Sequence, residues 1–342
     1  MTTQLDAPIG FKKESTFCTG VTPDTFVEFT TESLTWVPTF AQGAGMRVGQ
    51  RVDYSDRRVL VKEEVAGSFT VEAQTKGLGK LFEAAFGGTG TSTLISGSSY
   101  QQLFTPTTTD YLDSYTIQKG VPPLGGGASE PVTFTGMVCS GFEFSASNAG
   151  IPTLTVNWMG KDKTTGTALA TASYASGVQE LSFIHGAITV GGSVTVPTTT
   201  ALASGGTAAA NIREFSLTYE SGLDAEGFNF GSAGKRSRKQ ALGKRIITGS
   251  LVAEYDSNTL RDAWLNQTDI AIVMTFATTT AISGSNYPTL QITIPVVRFE
   301  GDIPQVSGDG SVVTQSIDFT GLDGRTAAHP IYVAIVTAET AI

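Results

Sequence analysis

Residues 65–72 read Val65-Ala-Gly-Ser-Phe-Thr-Val-Glu72, and residues 247–254 read Ile247-Thr-Gly-Ser-Leu-Val-Ala-Glu254. One pattern (aliphatic, any, Gly-Ser, apolar, any, small or aliphatic, Glu) is used twice, 182 positions apart. Six residues past each Glu stands a leucine, Leu78 or Leu260, and ten past it an aromatic, Phe82 or Trp264. A strand running into a short amphipathic helix is therefore expected in both halves. At 342 residues the chain has room for two cores. The expectation is two similar domains, 1–170 and 171–342, with the junction between about 163 and 178. A subunit that carries its domain twice closes a ring with half as many chains.

Short alternating runs rich in Val, Thr, Ile, Phe and Tyr predict a mainly β chain. The first half opens on a polar arm, 1–24, and strands are expected at 26–36, 59–74, 101–104, 112–118, 132–147 and 153–160. Between the first two lies a long loop, 37–57, with Gly43, Gly45, Gly49, Arg47 and Arg51. The helix is expected over 77–86, where Leu78, Leu81, Phe82 and Ala85 share one face. Gly87 and Gly88 end it, and Gly87-Gly-Thr-Gly90 reads as a turn. Gly125-Gly-Gly127 falls in a further loop. In the second half, Leu181–Ile184 and Ala187–Gly192 read as a strand pair. Strands follow at 212–219, 245–255, 270–277, 289–299, 312–320 and 331–337. The second helix carries Leu260, Ala263 and Trp264 inward, with Asp256 or Ser257 as its cap. A long loop, 221–243, overlaps the place 219–239 that 37–57 takes when shifted by the repeat.

Charged residues make up 15% of the chain and the net charge is −9, a poor surface for gripping a phosphate backbone. The two cysteines, Cys18 and Cys139, and the two histidines, His185 and His329, form neither a disulfide framework nor a metal pattern. Cys139 alternates with apolar residues and reads as a buried small hydrophobe. No nucleophile, base and acid fall into a recognisable setting, so neither catalytic residues, a cofactor nor a metal is expected. Gly231-Ser-Ala-Gly-Lys-Arg-Ser237 departs from a phosphate-binding loop at Asn229 and Arg236. Glu72 and Glu254 are expected to precede or cap the helices, where negative charge is favourable. The amino end lacks the basic and apolar regions of a signal peptide, and no apolar run is long enough to span a membrane, so folding in a cytoplasm is expected. The outstanding charge feature is Lys235, Arg236, Arg238, Lys239, Lys244 and Arg245, with no acid among them. It reads as a solvated loop, as a subunit contact onto an acidic neighbour, or as a nucleic-acid surface. The last lacks interleaved aromatics.

Several stretches resemble one family. Gly10-Phe-Lys-Lys-Glu-Ser-Thr-Phe17, Val21-Thr-Pro-Asp-Thr-Phe26 and Glu32-Ser-Leu34 are similar to the opening of major tail tube proteins of long-tailed bacteriophages. Gly67-Ser-Phe-Thr-Val-Glu72, Gly77-Leu-Gly-Lys-Leu-Phe-Glu-Ala-Ala-Phe-Gly87 and Ile331-Tyr-Val-Ala-Ile-Val336 resemble later parts. The resemblance implies β-sandwich or half-barrel domains, each with one short flanking helix, and six such domains per ring around a continuous β-barrel. With the domain duplicated, it implies a homotrimer of pseudo-sixfold symmetry. Rings would stack into the tail tube of a virion assembled in the host cytoplasm. A tape measure protein would lie in the lumen, tail terminator and distal tail proteins at the ends, and double-stranded DNA would pass without specific binding. The long loops would reach the next ring, making Arg47, Arg51, Lys235, Arg236, Arg238 and Lys239 the expected inter-ring contacts. The competing readings are an enzyme on a β scaffold and a carbohydrate-binding or adhesin β-sandwich, for which Trp36, Trp158 and Trp264 would be exposed platforms.

Overall fold

The computed structural model describes residues 3–342 apart from 89, 126, 210, 307 and 309. Thr89 and Gly126, in the two glycine-rich turns, and the first two residues of the arm therefore lie outside the described residues. In the first half the strands are β1 (Ile9–Lys13), β2 (Thr25–Val27), β3 (Phe29–Glu32), β4 (Thr35–Gln42), β5 (Arg58–Glu72), β6 (Thr91–Ser96), β7 (Ser99–Phe104), β8 (Tyr115–Val121), β9 (Glu130–Ser147), β10 (Thr153–Gly160) and β11 (Asp162–Thr164). In the second they are β12 (Gly186–Val190), β13 (Val194–Thr195), β14 (Ser204–Gly205), β15 (Ile212–Glu220), β16 (Ile246–Glu254), β17 (Ile270–Ala277), β18 (Thr289–Gly301), β19 (Thr314–Gly321) and β20 (Tyr332–Thr337). The helices are α1 (Gly79–Phe86) and α2 (Thr259–Leu265). The fold is mainly β, as the alternating sequence predicts.

β9 takes part in two sheets. Its first part pairs with β8 and β11, and its last part with β10 and β15. The two sheets of the first half face each other through aromatic side chains. Phe11 of β1 lies 6.4 Å from Phe69 of β5 and 6.5 Å from Trp158 of β10, and Tyr115 of β8 lies 5.6 Å from Trp158. All four rings are buried, so this contact forms the first core. β18 bends between sheets in the same way, pairing with β17 and β20 in one part and β19 in the other.

The registers repeat as well as the order. β4, β5, β10 and β9 lie side by side, and so do β15, β16, β19 and β18. Glu72 faces Thr153 as Glu254 faces Thr314. The register slips between Phe29 and Thr31 against β5, and between Ile212 and Glu214 against β16. It slips again between Tyr115 and Ile117 against β9, and between Ile270 and Ile272 against β18. Bulges at matching places are specific features that alternation alone does not generate.

The halves meet in one continuous sheet. β9 pairs with β15 from Gly141↔Glu220 to Ser147↔Glu214, giving the order β4–β5–β10–β9–β15–β16–β19–β18. Helix α1 lies beneath this seam, with Phe86 4.9 Å from Tyr219 of β15 and 5.7 Å from Phe142 of β9. A second link runs over the outside: the hairpin β6–β7 pairs with β20, Phe104 opposite Val333. Helix α1 ends where expected, at Gly87, whose φ of 99° is left-handed and whose N–H caps Glu83 O.

Five local expectations need correction. The polar arm expected over 1–24 contains β1, whose Ile9 and Phe11 are buried in the core because they alternate onto the sheet's inner face. The loop expected over 37–57 starts later, because β4 stays paired with β5 as far as Gln42. Leu181–Ile184 is not a strand: Leu181 N–H donates to Ala73 O, and Ser182 and His185 cap each other around a single 3-10 turn. β12 pairs with β17 instead. Neither Asp256 nor Ser257 caps α2, which begins after Asn258 without a side-chain cap, while Ser257 Oγ bonds Thr259 Oγ1 at 3.1 Å. Glu72 and Glu254 do not cap the helices. They point to the open face of the sheet, and Glu254 pairs with Arg213 at 3.2 Å.

Candidate functional site

The registers align side chains in rows across seven strands of this sheet, from β5 to β18. One row is Thr70, Thr155, Glu143, Thr218, Thr248, Thr320 and Arg298. The next is Glu72, Thr153, Ser145, Ser216, Ser250, Asp318 and Glu300. Between them, pointing the other way, runs Val71, Leu154, Phe144, Leu217, Gly249, Phe319 and Phe299, whose side chains are all buried apart from the glycine. Period-two alternation thus makes one face a core and the other a lawn of hydroxyls and carboxylates, with one arginine in these two rows. The open face is short, polar and acidic, with no aromatic side chain in these rows on which a ligand could stack.

Below this face β4 and the first part of β5 continue as a two-stranded ribbon. Phe40, Val59, Leu60 and Val61 are exposed on it. At its tip Met46 is 96% and Val48 108% exposed, and Arg47 and Arg51 are exposed beside them. Arg47 and Arg57 each lie over the ring of Tyr54, at 5.4 and 5.2 Å. Apolar residues on both faces of a ribbon are a surface that monomeric proteins avoid. The run Val59-Leu-Val61, which breaks the alternation, was the sequence signal for it.

The basic loop 221–243 lies along this ribbon, with Gly234 O accepting from Glu63 N–H at 2.9 Å. Three of its cations are matched within the chain. Lys235 Nζ sits 2.7 Å from Asp162 and 3.6 Å from Glu63, and the hydrogen bond to Asp162 raises its pKa. Arg236 is 1% exposed. It pairs with Glu64, donates to Ala225 O and Glu226 O, and stacks 4.6 Å from the centre of Phe228. Arg238 pairs with Asp224. Lys239 is half-buried, and burial lowers its pKa. The six expected contact residues thus divide. Arg47 and Arg51 reach solvent at the ribbon tip, whereas Lys235, Arg236 and Arg238 find their carboxylates in their own chain, and Arg236 is closed to any neighbour. A guanidinium that deep is held only because it is paired and stacked.

The scattered Cys and His residues have structural surroundings. Burial pushes the Cys139 thiol up to about 12, and its sulfur lies 3.4 Å from Gly141 O, fitting the buried hydrophobe expected. Burial also raises Cys18, whose sulfur lies 3.3 Å from Thr135 Oγ1. His185 Nδ1 accepts the Ser182 N–H at 3.1 Å, and burial lowers His329, with Arg245 adding to the effect. Among the described residues no group of three or more His, Cys, Asp or Glu is placed to hold a metal, and no helix is long and apolar enough to cross a membrane. Trp158 is buried, and Trp36 and Trp264 are partly buried against the core, so none is an open platform.

A large β sheet with one open polar face and an apolar projecting ribbon is the equipment of a protein that assembles. A sequence model of phage tail tube proteins matches residues 4–321, and the chain belongs to that family. Among curated proteins, none matches the chain. Family membership makes it a structural component of the virion tail rather than a member of an enzyme family.

Proposed function

We propose that the chain is built of two tail-tube-like domains, 1–170 and 171–342, and that it polymerises as stacked homotrimeric rings into the hollow tube through which double-stranded DNA leaves the virion. The observation that carries this reading is the seam. Within one chain, the last strand of the first four-strand set, β9, pairs with the first strand of the second, β15. At the outer ends, β4 and the last part of β18, from Arg298 on, each lack a neighbour on the outward side among the described residues. Repeating the internal operation joins β18 of one copy to β4 of the next. A head-to-tail contact of that kind closes a ring when the rotation permits, and closure removes the exposed edges. Two domains per chain and sixfold closure require three chains.

The open face then becomes the inner wall. Its carboxylates repel a polyanion and its neutral hydroxyls add no cation to hold one, which suits passage without binding. Tape measure, tail terminator and distal tail proteins are the partners such a tube requires. Loops 37–57 and 221–243 are the proposed contacts between rings. Arg47 and Arg51 act at the tip, Lys235 and Arg236 brace the ribbon that carries them, and Arg238 and Lys239 complete the contact from the second loop. Mass measurement of isolated rings, with rotational averaging of tube cross-sections, tests the proposal. Three chains per ring are expected. Six, with one domain projecting outward, would overturn the trimer.

A further inference from the structure

The internal seam also specifies how one copy receives the next. Beside β15, residues Ala187, Ile212, Phe215, Met274 and Phe276 line a crevice whose far wall is the end of β9, Ala146 and Ser147. The shared registers put Pro8, Phe29, Glu32, Lys119 and Val121 in the corresponding places of the first half, where they line a crevice with no strand on that side. The missing wall has a counterpart in the second half. Phe299 faces Phe319 as Cys139 faces Trp158, and Glu300 faces Asp318 as Gly141 faces Asn157. Counting on from there, residues 302–306 occupy the places of 143–147, with Ile303 at the place of Phe144. In the single chain 302–306 belong to no strand, and Ile303 is 57% and Val306 81% exposed.

Of the backbone groups that this match would join, three are held by the chain's own side chains. Ser33 N–H donates inward to Ser68 O, so Leu34 turns its polar groups outward. Its N–H donates to the Glu32 carboxylate at 2.9 Å, and its C=O accepts from Lys119 Nζ at 2.7 Å. Glu32 and Lys119 are themselves paired at 2.8 Å. At the other end, Ile303 C=O accepts from Gln305 Nε2 at 2.9 Å, while Asp302 C=O faces the β19 side and accepts from Gln315.

Building on the ring reading above, we propose that residues 302–306 of a second copy dock as a strand on the edge at Leu34, with Ile303 opposite Leu34, and that Glu32 and Lys119 guard this edge until they are displaced. Leu217↔Phe144 in the internal seam is the template. With Leu34 and Ile303 exchanging both hydrogen bonds, the flanking pairs Ser33–Pro304 and Thr35–Asp302 are non-hydrogen-bonded. Pro304 therefore sits where the receiving strand needs no N–H from it. A charged pair over an edge is a known protection against uncontrolled strand pairing. In the second half, where the edge is permanently filled, Phe215 and Met274 take the places of Glu32 and Lys119.

Opposed residues of a non-hydrogen-bonded pair lie at about 4.5 Å between Cα atoms, within disulfide reach. The test places Thr35→Cys and Asp302→Cys together in a Cys18→Ser background, assembles rings at high protein concentration and oxidises them. Covalent dimers and closed trimers, but nothing larger, are expected on a non-reducing denaturing gel, and each single variant should stay monomeric. Rings visible by electron microscopy that give only monomer, or that link through Thr35→Cys and Pro304→Cys instead, overturn the register and leave the tube reading intact. Failure of the parent and the unaltered chain to form rings at all overturns both. Lys119→Met should assemble at lower protein concentration than the parent, and an unchanged concentration dependence overturns the guarding role.

Discussion

The repeated Gly-Ser has one physical cause in both places. A Cβ on Gly67 would stand 2.4 Å from Ser33 O, and one on Gly249 would stand 2.2 Å from Ser216 O. The next residue completes the contact. Ser68 N–H donates to Ser33 Oγ at 2.9 Å, and Ser250 N–H to Ser216 Oγ at 3.2 Å. A strand and its predecessor approach so closely here that only a hydrogen fits, and paired serines lock the approach. Gly249→Ala is therefore expected to lower stability by about 2–3 kcal/mol, read as a shift of the urea midpoint at unchanged slope. A midpoint equal to that of the parent would mean that the strand yields freely. This motif was legible as a repeat because a backbone contact tolerates few residues. The meaning of its last residue was not: Glu72 and Glu254 look like helix leaders in sequence, but alternation carries them to the open face.

Strands were the most legible elements, since one buried face imposes its period on the sequence. β10 and β17 lie at their expected bounds, 153–160 and 270–277. β6 carries no buried face to announce it, because Thr91–Ser96 is half exposed and paired only along one side of a hairpin. The basic loop was legible as a cluster but not in its role, because the acids that answer Lys235 and Arg236, namely Glu63, Glu64 and Asp162, stand far away in sequence. The two sets of cations should respond differently to substitution. Arg236→Ala leaves Glu64 facing only Lys62 at 3.2 Å and empties the site against Phe228, so a loss of about 3 kcal/mol in subunit stability is expected. Arg47→Ser with Arg51→Ser should change subunit stability by less than about 0.5 kcal/mol while weakening tube growth. Chemical denaturation and turbidity of the same preparations separate the two effects. Normal tube growth by the double variant would rule out the tip as a contact between rings.

At the scale of the whole molecule, the seam joins two modest sheets into one surface whose chemistry is continuous. Glu143 belongs to the first half and Asp318 to the second, yet both stand on the same open face in adjacent rows. Glu143→Lys with Asp318→Lys should leave rings and tubes of normal diameter, because neither side chain packs in the core. If that face is the inner wall, virions carrying the pair should eject DNA slowly or incompletely. Ejection from purified particles measures this directly, and undiminished ejection would place the wall elsewhere. The hairpin β6–β7 adds a consequence in time. It is completed at Phe104, but the strand that seals its open side begins at Tyr332, more than two hundred residues later. At roughly 5–20 residues per second of synthesis, the nascent first half waits on the order of ten seconds or more with that side bare. Emergence of β20 both finishes the second half and shields the first, so no half-made chain offers a growing tube a finished surface.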